Sequence, residues 1–180
     1  MLRIEYHMHM SPDELENVAK NNLGYVICML NKTATLIDNL NPPKNNAYIE
    51  SFVIHARILI SFLHDTERSD DDTILAAHYV KGWNKPLKEG DFLLDIKRKS
   101  NKMGAHLTKK GVNITDKNWP RIRIRDEINE EIREFLEEIP ETTISKETRE
   151  RIKDLVKPQG PSGPSLELEV SNLSATGPSG

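Results

Sequence analysis

The chain has 180 residues, with 25 Lys plus Arg against 28 Asp plus Glu, a formal charge of −3, six His and one cysteine. This length suits one domain that buries about two thirds of its unfolded surface, and the lone Cys28 excludes an internal disulfide framework and a thiolate-rich zinc site. The longest apolar run, Phe52 to Leu63, is 12 residues long and contains His55 and Arg57, short of the ~20 apolar residues of a membrane span; with no leader-like apolar core near Met1, a soluble cytoplasmic protein is the expectation.

Leu2 to Met10 alternates apolar residues with Arg3, Glu5, His7 and His9 and reads as an N-terminal extension or edge strand. Ser11-Pro12-Asp13-Glu14 is a capping box with proline at the first helical position. Behind it Leu15, Val18, Ala19, Leu23, Val26, Ile27, Leu30, Ala34, Ile37 and Leu40 recur at three- and four-residue spacings, which predicts a long amphipathic helix ended by Pro42-Pro43. Such a helix needs an equally long partner. Asn46 to His64 supplies one, apolar almost all round (Tyr48, Ile49, Phe52, Val53, Ile54, Ile58, Leu59, Ile60, Phe62, Leu63), and is predicted to be central and buried on several sides.

Asp65 to Asp72 reads as a solvated loop whose last aspartates cap a short helix, Thr73 to Val80. Lys81 to Gly90 is loop-like, and Asp91 to Leu107 is a third long helix with Phe92, Ile96, Met103 and Leu107 on one face. After a connector, Gly111 to Asn118, the residues Ile124, Ile128, Ile132, Phe135, Leu136 and Ile139 define a fourth, acidic helix stopped by Pro140. Arg121 to Arg125 alternates too, and is short enough to be the entry to that helix. Ser145 to Val156 is a short charged helix, weakly apolar and predicted to dock loosely. The 24 residues from Lys157 hold four of the ten prolines, four of the nine glycines and no aromatic, which predicts a flexible tail; only Leu166 to Val170, alternating with Glu167 and Glu169, suggests a short strand. The fold expected is all-α: a bundle of four main antiparallel helices plus short ones over 11–156, a tail over 157–180, and strands only at the ends.

Charge is uneven along this plan. Lys97 to Arg125 holds ten Lys or Arg and one acid, Asp116, whereas Asp126 to Glu141 holds eight acids and only Arg133. The basic block can form a polyanion-facing surface, or the acidic helix can fold back and neutralise it. Both readings stand at this point.

Two places could carry chemistry. On the central helix Glu50, Arg57, Ser61 and His64 fall within about 60° of arc. A buried arginine is expensive unless paired, so this stripe is either an anion site, with Arg57 as its charge, or a structural feature opening to solvent or closed by a Glu50–Arg57 bridge. Near the end of the third helix, His106 follows Arg98, Lys99, Asn101 and Lys102. Imidazole can move a proton near neutrality and guanidinium can grip a phosphate, the minimal apparatus for metal-free RNA cleavage; a surface His among lysines is the plain alternative. Lys109, Lys110, Arg121 and Arg123 would hold the RNA backbone, and Trp119 either offers a stacking platform or caps the core. His7 and His9 could share a strand face with His55 and His78 near, but no known zinc spacing is present, and no metal or other cofactor is expected.

The string Glu50-Ser-Phe-Val-Ile-His55-Ala-Arg57-Ile-Leu-Ile-Ser-Phe62-Leu, followed by an acidic loop, Trp83 and then Asn101-Lys-Met-Gly-Ala-His106-Leu-Thr108, resembles a family of short bacterial helical proteins with a His-Ala-Arg central helix and a later His-Leu-Thr. More distantly it is similar to the HEPN domain, in which an Arg is followed by a polar residue and, a few positions on, by a His. That resemblance implies a helical bundle, often dimeric, acting as a metal-independent ribonuclease or toxin partner with Arg and His at a subunit interface. Here Arg57 and His64 have six residues between them and Arg98 and His106 have seven. The expectation is an RNA-directed homodimer with His106, Arg98, Arg57 and Asn101 catalytic; the alternative is a non-catalytic helical interaction or dimerisation module.

Overall fold

Ser11 opens the first helix by the capping box its sequence spells. The Ser11 hydroxyl accepts the Glu14 N–H (3.3 Å), and Glu14 Oε2 accepts the Ser11 N–H (2.8 Å), with Pro12 in the first turn. In the computed structural model, which describes residues 10–36, 44–66, 73–103 and 119–158, this helix (α1, Pro12–Val18) passes through a wide π turn, Ala19–Leu23, into α2, Gly24–Leu36. The long helix of the sequence is therefore one rod with an extra residue looped into it, the Gly24 N–H reaching back to the Ala19 carbonyl. Its predicted end at Pro42-Pro43 lies outside the described residues.

The remaining helices are α3 (Lys44–His64), a 3-10 turn (Ala76–His78), α4 (Phe92–Met103), α5 (Arg121–Glu138) and α6 (Lys146–Leu155). Among the described residues every regular element is helical, so the protein is all-α. The alternating segments at the two ends fall outside them, while Arg121 to Arg125 is indeed the first turn of α5.

α3 packs chiefly on α2 and also meets α4 and α5. Its Phe52, Ala56, Leu59, Ile60 and Leu63 are buried with Ile124, Ile128, Ile132 and Phe135 of α5. Phe135 is the hub of an aromatic cluster, with Phe62, Trp83 and Tyr79 meeting it edge-on at centroid distances of 5.1, 5.4 and 5.7 Å. The polar ends of two of these rings are satisfied by helix carbonyls: Trp83 Nε1 donates to that of Leu63 (2.7 Å) and the Tyr79 hydroxyl to that of Leu15 (3.1 Å). Burial, reinforced by the Glu16 charge, pushes the Tyr79 hydroxyl pKa far up, so it stays protonated and keeps that bond.

As expected, α3 is buried on several sides, and it stays open on one, where Ile54 and Ile58 are 48% and 45% exposed; three other expectations need correcting. Over Asn46–His64 α3 is, by length and composition, apolar enough to cross a bilayer, more than its longest apolar run suggested; its place between α2, α4 and α5 accounts for that apolarity. The predicted helix over 73–80 is only the 3-10 turn, because Leu75 is extended and it is His78 Nδ1 that accepts the Leu75 N–H (2.9 Å). Finally, α6 docks firmly. Thr148, Ile152 and Val156 are buried, Asn31 Nδ2 donates to the Leu155 carbonyl (2.7 Å), Arg133 donates to that of Val156, and Arg149 donates to those of Leu136 and Ile139. Apolar counting misses such docking, because the contacts are side chains satisfying the open ends of helices.

Candidate functional site

At 100° per residue Arg57, Glu50, Ser61, Ile54 and Ile58 occupy about 100° of α3. This is the side of α3 that its neighbours leave uncovered. Arg57 is exposed, so it needs no buried counter-charge; the arginine that is buried is Arg125, whose Nε donates to Asp126 (2.8 Å).

Beside this stripe a groove of about 490 Å³ runs along the first helical rod, a size typical of ligand-binding clefts. Val18, Asn22, Leu23 and Val26 form one wall, the π turn contributing Asn22 and Leu23. Val53, Ile54, Arg57, Ile58, Ser61 and Phe62 form the other, and Thr73, Ile74 and Ser100 add to its border. The lining is mostly apolar. Arg57 has no hydrogen bond or ion pair among the described residues, which leaves one positive charge set between two half-exposed isoleucines. Tyr25, on α2, adds exposed apolar area and meets His55 edge-on at 5.9 Å.

His64 does not join Arg57. It is buried at the end of α3, where Nδ1 donates to the Lys85 carbonyl (2.6 Å) and Nε2 meets Glu131 Oε2 at 2.5 Å without an aligned hydrogen bond. A carbonyl can only accept, so the Nδ1 proton is fixed. The stripe predicted from Glu50 to His64 is thus divided, with Arg57 and Ser61 on the groove and His64 in the core against α5.

The cationic block disperses in the same way. Arg98 pairs with Glu89, and the guanidinium holds that carboxyl below its ordinary value. Lys97 pairs with Asp65, Arg123 with Glu127 at 2.8 Å, and Arg125 with Asp126. Lys99 Nζ lies 4.6 Å over the Trp119 ring, the Arg123 guanidinium 3.8 Å over Phe92, and Arg121 donates to the Ala34 carbonyl at 3.1 Å. Asn101 and Lys102 are exposed on the last turn of α4. Trp119 is buried and so caps the core instead of offering an open face to a base. His106, Lys109 and Lys110 lie outside the described residues, as do His7 and His9. Of the three residues expected to be catalytic that are described, Arg57, Arg98 and Asn101, Arg57 alone lines the groove.

No three of the described His, Cys, Asp and Glu residues gather as a metal-ligand set. Burial pushes the Cys28 thiol up against the pull of Lys32 and Arg151, which keeps it protonated and a poor nucleophile.

Comparison with known proteins finds no matching family model, no similar curated protein and no similar solved structure. The function therefore rests on the geometry. The groove residues Val26, Ile54, Ile58 and Ile74 carry no chemistry, and in the sequence the first three read only as apolar helix positions. Their one signal is an apolar pair, Ile54 and Ile58, bracketing Arg57 on the wheel of α3.

Proposed function

We propose that this protein is a helical interaction module whose groove between the α1–α2 rod and α3 binds a partner's amphipathic segment carrying carboxylates. The observation that supports this reading is Arg57, an exposed cation without a counter-charge among the described residues, set in an apolar lining. Apolar side chains of the partner fill the cleft, and a carboxylate on Arg57 fixes register and sign, since guanidinium binds carboxylate in a fixed fork geometry. Four of the cations that an RNA-directed reading needs, Arg98, Lys99, Arg121 and Arg123, are engaged within the protein; Arg57 and Lys102 are exposed, and His106, Lys109 and Lys110 lie outside the described residues.

Two fluorescent peptides with identical apolar positions, one bearing glutamates and the other lysines, test the proposal on the full chain. The acidic peptide is expected to bind at least tenfold more tightly, and Arg57→Glu to reverse the preference. Equal affinity for both peptides overturns it. So does tight, steeply salt-dependent binding of a short RNA that neither peptide displaces, which returns the RNA-directed reading. A dimer in sedimentation that dissociates in Ile58→Asp also overturns it, by making a second copy the occupant.

A further inference from the structure

The tail carries an unexpected match to the groove. Residues 159–180 contain just two charged side chains, Glu167 and Glu169, and both lie inside their main apolar run, Leu166-Glu-Leu-Glu-Val170. The groove is the converse, an apolar cleft in which Arg57 has no counter-charge among the described residues. Alternation at period two puts Leu166, Leu168 and Val170 on one side of an extended segment and the two glutamates on the other. The apolar side can then face Val26, Ile54 and Ile58 while a glutamate at the rim meets the guanidinium.

The chain's path allows it. The described residues end at Pro158, just beyond α6, whose Leu155 carbonyl accepts from Asn31 on α2 (2.7 Å). A β-carbon built on Gly24 would lie 4.0 Å from Leu155 Cδ1, so the end of α6 lies beside α2. Val26 lies two residues on from Gly24, about 200° round that helix. A helix with its side chains is about 10–12 Å across, and the eight peptide steps from Pro158 to Leu166 span up to about 28 Å. The groove side of α2 is within that reach.

We propose that Leu166–Val170 docks in the groove of its own chain, so that the site is closed by an internal acidic ligand until a partner displaces it. The proposal rests on the interaction reading above and adds its regulation. Short flexible tethers give effective concentrations of about 1 mM. A segment with an intrinsic Kd of about 100 μM would then occupy the groove roughly nine-tenths of the time and weaken a competing peptide about tenfold.

The test is disulfide capture in the full chain. Ile54→Cys is combined with Leu168→Cys, or with Ser179→Cys as the control, and intramolecular bridging under mild oxidation is timed. Tether length alone favours the nearer cysteine only about threefold; docking is expected to favour it at least tenfold, and Arg57→Glu to remove the excess. Leu168→Asp should tighten the acidic probe peptide about tenfold. A ratio near threefold overturns the tail proposal, as do disulfide-linked dimers in place of the internal bridge. If the probe peptides still show their charge preference in that case, the interaction reading survives; if the bridge forms fast while neither peptide binds even Leu168→Asp, the tail covers the groove but the partner reading fails.

Discussion

Glu16, on α1, caps the start of α6 through Ser145, a residue 129 positions away. Its Oε2 accepts the Ser145 N–H (2.7 Å), and its Oε1 accepts the hydroxyls of Ser145 (2.8 Å) and Thr148 (2.6 Å). One carboxylate thus closes the N-terminal end of the last helix and ties it to the first, a position where negative charge is also favoured by the helix dipole.

This contact makes stability sensitive to acid. Burial pushes the Glu16 carboxyl up, but the hydrogen bonds from Thr148 and Ser145 and the charge of Lys20 outweigh it and hold the group below its ordinary value of 4.5. A lowered folded value means that the ionised form stabilises the fold above 4.5 and that this contribution fades as pH falls through the lower, folded value. Glu16→Gln is expected to destabilise the protein by about 1–2 kcal/mol at pH 7 and by much less at pH 3. Urea melts at the two pH values check this; an equal loss at both would show that the carboxylate charge plays no part.

The His64–Glu131 contact yields a prediction about proton placement. Because Nδ1 is committed to the Lys85 carbonyl, Nε2 is the ring nitrogen that faces Glu131. Glu131→Ala leaves a buried ring nitrogen without a neighbour and should destabilise by about 2 kcal/mol. Glu131→Gln can offer an amide N–H to the neutral ring and should cost less than half as much. Thermal melts of the two variants separate the cases, and equal losses would mean that packing, not the proton, holds this site.

The architecture was far more legible than the site. Ser11, Pro12 and Glu14 announced α1, and the isoleucine ladder from Ile124 to Ile139 announced α5 and its stop, because capping and periodicity are local rules. The π turn was not legible, since Ala19 to Leu23 keeps an acceptable helical pattern and the extra residue shows only in the backbone. The firm docking of α6 was hidden because Glu16, Arg149 and Asn31 act across the chain, and nothing local distinguishes them from solvated polar residues. Arg57 stands out in the sequence as a charge on a greasy helix, but whether it is buried or opens to solvent is not written there. Which side of α3 stays open is decided by where α2, α4 and α5 lie, and a single helix does not encode that.

A buried amide pair gives a third test. Asn129 Nδ2 donates to Asn31 Oδ1 (2.9 Å), while Asn31 Nδ2 donates to the Leu155 carbonyl (2.7 Å). The relay joins α5, α2 and the end of α6. Asn31→Ala strands both the Asn129 amide and the Leu155 carbonyl, so a loss of about 2–3 kcal/mol is expected. Asn129→Ala strands only one group, and because Asn129 Oδ1 is already without a partner its loss should be smaller, about 1 kcal/mol. Chemical denaturation orders the two variants, and the reverse order would show that the relay is not what fixes α6.

The groove itself can be probed without changing its apolar lining. Ser61 lies four residues after Arg57 on α3 and shares the cleft with it, the spacing at which helical side chains meet. Ser61→Asp therefore supplies Arg57 with a local counter-ion. An exposed pair of this kind shifts helix stability by only about 0.3–0.5 kcal/mol, so the melting temperature should scarcely move. The acidic peptide, however, loses its cation and meets a carboxylate, and its affinity should fall about tenfold or more, while the lysine peptide gains. Salt should narrow the gap between the two peptides, because the charge term at a solvent-exposed rim is screened and the apolar term is not. If Ser61→Asp leaves the peptide preference of the wild-type chain intact, Arg57 does not set the sign of the partner, and the groove selects by shape alone.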